Sequence, residues 1–326
     1  MHSRSILMLR SLAFFTLSSA AFGQLTGPVL GYLPDGGSLR AINGIPASGS
    51  VGAALTAARP LAAVQAAPSQ AFALAVADDN GEALLVTPRA DGSSVQLASV
   101  AGVATGASKI VFSPNGTAAA LWFSATGHIQ VLTNLTSTVA VRDIDASFLG
   151  GLSTLAVSDD GQWAVGASSS GVSAFGPDGS VRGLPVDGGV QQLAFFHGKT
   201  DLAVFAPTQV VTIADIGGAA TPTVLWSQSA ADAAASNPVA VGLGVTADNA
   251  FLTIVADNGF LDTFNLATGI GINADCGCKP LGLSGLGGSV FRLTGIDAGA
   301  LKIFDAATND VLFVPLAAPV VAGGQQ

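Results

Sequence analysis

Apolar residues fall in short runs along this chain, and clusters of Gly, Asp, Asn and Pro separate them. Helical spacing is nearly absent, so the pattern predicts strands joined by tight turns, as in consecutive hairpins. One turn recurs at a steady interval. It is seen at Asp78–Gly81, Ser124–Gly127, Ser168–Gly171, Pro207–Gln209, Asp257–Gly259 and Ile296–Gly299. From Gly81 to Gly299 there are five steps over 218 residues, about 44 each, which is the period of a four-strand repeat.

The residues around each turn fill in the unit. Val111–Gly116 leads into a strand at Ala118–Phe123, Ala156–Gly161 into Trp163–Ala167, and Val245–Asn249 into Phe251–Ala256. A third strand follows the recurring turn, as at Leu261–Phe264 and Leu301–Phe304, and then come a further turn and an outer strand. Four meandering strands per period predict an all-β protein, a β-propeller of four-stranded antiparallel blades. The segments Phe112-Ser113-Pro114-Asn115-Gly116 and Val157-Ser158-Asp159-Asp160-Gly161 resemble the F-S-P-D-G element of WD40-like and YVTN-type bacterial propellers. That resemblance implies the fold. It implies no ligand, and the Gly-His and Trp-Asp dipeptides of eukaryotic WD40 repeats do not recur at this spacing.

Gly36 lies one period before Gly81, so Pro34–Gly37 is the corresponding turn of a first blade. Its second strand is then Val29–Leu33 and its third Ser38–Ile42, with nothing before Val29 to supply an innermost strand. Pro319–Ala322 lies where another inner strand is due, so the C-terminal strand is expected to complete the N-terminal blade. This gives seven blades; six blades and a stray hairpin is the alternative. An open sheet would leave unpaired backbone at its edge, which favours closure. Trp122, Trp163 and the Phe residues are expected to fill the wider gaps between blades.

Residues 1–23 stand apart from the repeat. Arg4 and Arg10 precede an apolar stretch from Ser11 to Phe22 that ends in small residues, the layout of a cleaved secretory signal peptide. Cleavage is expected after Gly23, with Ala20 as the alternative. Residues 24–326 then form one propeller domain, periplasmic or extracellular and bacterial in type. No stretch is long and apolar enough for a membrane-spanning helix. Tyr32 is the sole tyrosine, which argues against the aromatic girdles of an outer-membrane barrel.

Composition narrows the partners. The chain has 21 acids against 12 bases, a net charge of −9. Such a balance is repelled by phosphate backbones, so nucleic acid is not an expected partner. A monomer that binds a protein or a small molecule is expected.

Few residues offer chemistry. Asp78, Asn80 and Glu82 have one-three-five oxygen spacing and form a weak calcium candidate, but a strand follows at once where a calcium loop would continue. Hairpin turns favour the same residues for backbone reasons. Asp143 and Asp145 alternate on one strand face without an identifiable partner, and His128 and His197 read as surface or loop residues. Cys276 and Cys278 flank Gly277; in an oxidising compartment a local disulfide is the leading reading, with free thiols next. Asn115 and Asn134 sit in glycosylation sequons that matter only in a glycosylating host.

No metal, cofactor or catalytic residue is assigned. The expected function is an exported non-catalytic binding or scaffold propeller. Its recognition surface would be the end bearing the turns with Asn115, Asp159, Asp160 and Asp248. The alternative is a propeller enzyme of lactonase or quinone-dependent dehydrogenase type. Those chemistries draw on His, Glu, Arg or metal ligands converging on the channel, and the chain after residue 23 has one Glu and two His.

Overall fold

The computed structural model describes residues 28–45, 48–186, 189–229, 239–296 and 299–316. Among the described residues seven antiparallel sheets follow one another along the chain, six of four strands and the first of three. In the six full blades the strand order is sequential from innermost to outermost. The inner strands are Leu61–Ala66, Lys109–Phe112, Thr154–Val157, Gln192–Phe195, Ala240–Val245 and Ser284–Gly287. Each recurring turn joins the second strand of a blade to the third, as the period predicts.

Apolar packing between blades closes the ring. Seven buried clusters form, each from residues of two neighbouring blades. Trp122 and Trp163 are buried in two of them. The cluster at the seam joins Leu33, Ile42 and Val51 of the first blade to Leu286, Leu301, Ile303 and Val314 of the last. Burial on both faces explains why the second strands are so apolar: Ala73–Ala77, Ala118–Phe123 and Leu202–Ala206 are buried at every position.

The first blade contains Val29–Asp35, Ser38–Ile45 and Ser48–Ala54. Its outer strand packs beside the last blade's outer strand, Asp310–Val314. Leu316 forms a parallel bridge with Val51, as Thr56 does with Ser94 between the first and second blades. Five residues after Thr56 the chain enters the inner strand of the second blade. The expected closing strand, Pro319–Ala322, lies outside the described residues, as do residues 1–27.

The inner edge of Val29–Asp35 is partly occupied. Tyr32 donates its backbone N–H to Gln70 Oε1 at 2.7 Å, and Gln70 Nε2 donates to the Gly285 carbonyl at 2.9 Å. One side chain from the second blade therefore ties the first to the last. Gln70 holds a left-handed backbone, φ 59°, to do so. A Cβ at Gly31 would fall 2.7 Å from Gln70 Oε1 and 3.0 Å from Leu286 Cδ2, so a larger residue here would have to displace the Gln70 side chain from its latch.

A second device repeats between blades. Arg142, on the outer strand of the third blade, donates to the carbonyls of Gly161, Gln162 and Gly176 in the fourth. Arg182, one blade on, donates to Ile216 and Gly218 of the fifth and lies over the Trp163 ring.

Candidate functional site

Three of the residues singled out as a recognition surface, Asn115, Asp160 and Asp248, repeat one local hydrogen-bonding pattern. In the third blade Asn115 Oδ1 accepts from the Thr117 N–H, and Ser113 Oγ accepts from the Ala118 N–H. In the fourth, Asp160 Oδ1 accepts from the Gln162 N–H and Ser158 Oγ from the Trp163 N–H. In the sixth, Asp248 Oδ1 accepts from the Ala250 N–H and Thr246 Oγ1 from the Phe251 N–H. The Thr246 hydroxyl and the Ala250 N–H hold the Asp248 carboxyl below the usual carboxylate range. The motif is thus a turn held from within, with its hydroxyl residue buried.

Asp159 reaches further. Its Oδ1 accepts from the Asn115 N–H at 2.8 Å and its Oδ2 from the Gly198 N–H at 2.7 Å, linking the third, fourth and fifth blades. Asn249 continues the chain of latches to the His197 backbone. This end of the ring is laced together by the polar groups its sequence displays.

The other candidates are also engaged. Arg59 places its guanidinium among Asp79, Asn80 and Glu82, where a calcium ion would compete with it. Glu82 is held below the usual carboxylate range by hydroxyl and guanidinium hydrogen bonds, from Ser99 and then Arg59. Asp78 donates its backbone N–H to Pro60, and no metal-ligand cluster of three or more His, Cys, Asp or Glu occurs among the described residues. Asp143 accepts from Gln130 and Asp145 from Ser147, so the pair has partners that the sequence did not reveal. Cys276 and Cys278 are joined in a disulfide with Cα atoms 5.2 Å apart, and Cys276 is buried between the last two blades. His128 pairs across strands with Asp145. His197, in the turn after the inner strand of the fifth blade, lines the central channel, with Nε2 3.2 Å from the Val245 carbonyl.

That channel is a concavity of about 610 Å³, and all seven blades wall it. This is within the range of small-molecule sites. The inner strands run the same way along it, so their first residues share one end. At that end stand Lys109, Thr154, Gln192 and Ser284, with Arg292 directly across from Ser284 on the neighbouring strand. The opposite end carries the latched turns, with Asn115, His197 and Gln70. Between the two ends the wall is mostly apolar, including Ile110, Leu243 and Leu283.

Two cations line the channel and no Asp or Glu does, among the described residues. Lys109 Nζ is 3.2 Å from the Ser153 carbonyl and Arg292 Nη2 is 3.1 Å from Ser284 Oγ. Enclosure by protein, with no acid to offset it, pushes the Arg292 pKa down to about 10 and lowers that of Lys109. Sequence reasoning passed over both residues. The one available signal was positional: Lys109 opens an inner strand, in a chain where bases are scarce.

No protein-family model matches the chain, and no curated protein matches it by sequence. Solved structures do resemble it. A functionally unknown protein from Desulfotomaculum acetoxidans is 12% identical, with 88% of this chain and 100% of that one covered and a TM-score of 0.55. Apo AztD from Citrobacter koseri is 11% identical over 88% of this chain and 94% of its own, TM-score 0.54. Chaetomium thermophilum Sqt1, solved bound to the N-terminus of ribosomal protein L10, is 15% identical over 85% and 80%, TM-score 0.50. At these identities the likeness establishes the fold alone: the chain is a seven-bladed β-propeller.

Proposed function

We propose that this protein is an exported, non-catalytic binding propeller whose ligand enters the central channel. The observation that carries the reading is a contrast in how polar groups are used. At the turns, Asn115 Oδ1, both carboxylate oxygens of Asp159 and one carboxylate oxygen each of Asp160 and Asp248 accept hydrogen bonds from the fold itself. In the channel, Lys109 and Arg292 keep donors that no described residue accepts. Rigid walls with a few converging polar groups make a binding site. For acid–base work the channel offers His197, whose backbone N–H is held by Asn249 and whose ring faces a carbonyl. Sqt1 binds a peptide segment of a protein on the same fold, and a short chain segment is the other ligand class this channel would suit.

Export rests on Arg4, Arg10 and the apolar stretch behind them. The mature protein should be recovered from the periplasm or medium with Gln24 at its N-terminus. Binding is tested by thermal shift against a panel of metabolites, peptides and sugars, with wild type beside channel variants such as Gln192→Trp. Ligands that raise the melting temperature of wild type but not of the blocked variant support the reading. Stabilisation indifferent to the block, or turnover of a lactone or oxidisable substrate, overturns it.

A further inference from the structure

We infer that the channel end bearing Lys109 and Arg292 is an anion site for a small organic molecule carrying carboxylate or phosphate groups. This rests on the channel being the binding site, and adds the chemistry of what binds. The two cations lie in the third and seventh blades, on different sides of the ring but at the same end of it.

Arg292 differs from the other arginines enclosed in the fold. Arg40 pairs with Asp35, Arg59 with Asp79 and Glu82, Arg142 donates to three neighbouring carbonyls and Arg182 to two. Arg292 has a single neutral acceptor, Ser284 Oγ, for one of its five N–H groups. Lys109 likewise has one carbonyl for three. Burying a cation without an acid is unfavourable, and a bound anion removes the penalty through charge-assisted hydrogen bonds. Thr154 and Gln192 at the same end add neutral hydrogen-bonding groups, though Gln192 Nε2 already donates to the Ala240 carbonyl. A chain of net charge −9 places no acid among the described residues of this wall. The selectivity of the lining is thus opposite in sign to the surface that surrounds it.

The test is calorimetric titration of the full exported chain with citrate, succinate, inorganic phosphate and glucose 1-phosphate, with glucose as the neutral control. At least one anion should bind with a Kd below about 1 mM, and 0.5 M NaCl in place of 0.05 M should weaken it several-fold. Arg292→Gln and Lys109→Met should each weaken binding about tenfold or more. The exposed Arg89→Gln should leave it unchanged. Arg292→Lys guards against misfolding: it keeps the charge and should retain more affinity than the glutamine variant at an equal melting temperature. The carboxylate and phosphate arms identify which group the site prefers. Absence of binding by every anion overturns the inference, as does binding indifferent to both cation variants. Glucose or an uncharged peptide bound in a way that Gln192→Trp abolishes would overturn the anion assignment while leaving channel binding intact. Ligands that bind wild type and Gln192→Trp alike would overturn both.

Discussion

Replacing Gln70 with alanine should loosen the ring at its seam. The side chain makes two part-buried hydrogen bonds, one to the Tyr32 N–H of the first blade and one to the Gly285 carbonyl of the last. Each is worth about 0.5–1.5 kcal/mol net, so their loss should cost about 1–3 kcal/mol. For a chain of this length that is roughly 2 °C per kcal/mol, a fall in Tm of about 2–6 °C. Gln70→Glu refines the test: it keeps the acceptor for Tyr32 but turns a carboxylate oxygen toward the Gly285 carbonyl, so it should be at least as destabilising as alanine. Gln70→Gly loses the same bonds but relieves the left-handed backbone at φ 59°, and should recover up to about 1 kcal/mol relative to alanine. Melting should be followed by far-UV circular dichroism and tryptophan fluorescence together, since coincident curves justify a single Tm. Alanine and glutamate variants melting with wild type would refute the latch.

Three further outcomes follow from the geometry. Arg142→Ala leaves three neighbouring carbonyls without their donor; it should cost about 1–3 kcal/mol, read as a lower Tm, and lysine, lacking the guanidinium fork, should rescue only part of it. Asp262 is half-enclosed between the fifth and sixth blades, and burial raises its pKa. Its folded form therefore holds the proton above the unfolded pKa, so it lowers stability as pH rises through that window. Asp262→Asn should raise Tm at pH 7 and lose the advantage below about pH 4. Thiol titration of unfolded, unreduced protein should find no free cysteine, and reduction should cost about 1–2 kcal/mol, the value for so short a closed loop.

The fold was legible because the turns obey backbone rules that do not depend on distant residues. Gly81, Gly127 and Gly259 each take positive φ at the recurring turn, and the spacing between such turns gave the blade. The Ser-Pro-Asn-Gly and Ser-Asp-Asp-Gly elements were legible as motifs, but their role was not. That the Asn115 and Asp160 oxygens face their own turn rather than a ligand is a matter of side-chain direction. Asp159 was harder still, since its two partners belong to blades on either side. The channel was hidden for the same reason on a larger scale. Lys109 and Arg292 come from blades far apart in the chain, and only ring closure brings them to one end. Gln65, Thr154 and Gln192 line the same channel without belonging to any sequence motif. Gln70 gave no signal either, because a left-handed glutamine is disfavoured and is held here by the seam it bridges.

The most direct measurement of the central claim is an anomalous difference map from crystals of the exported protein soaked in bromide. An acidic protein offers a bromide ion few places to sit, and the account predicts peaks in the channel beside Arg292 and Lys109, displaced by citrate. Peaks confined to outer-surface cations such as Arg89 and Lys199, with the channel unmarked, would contradict it.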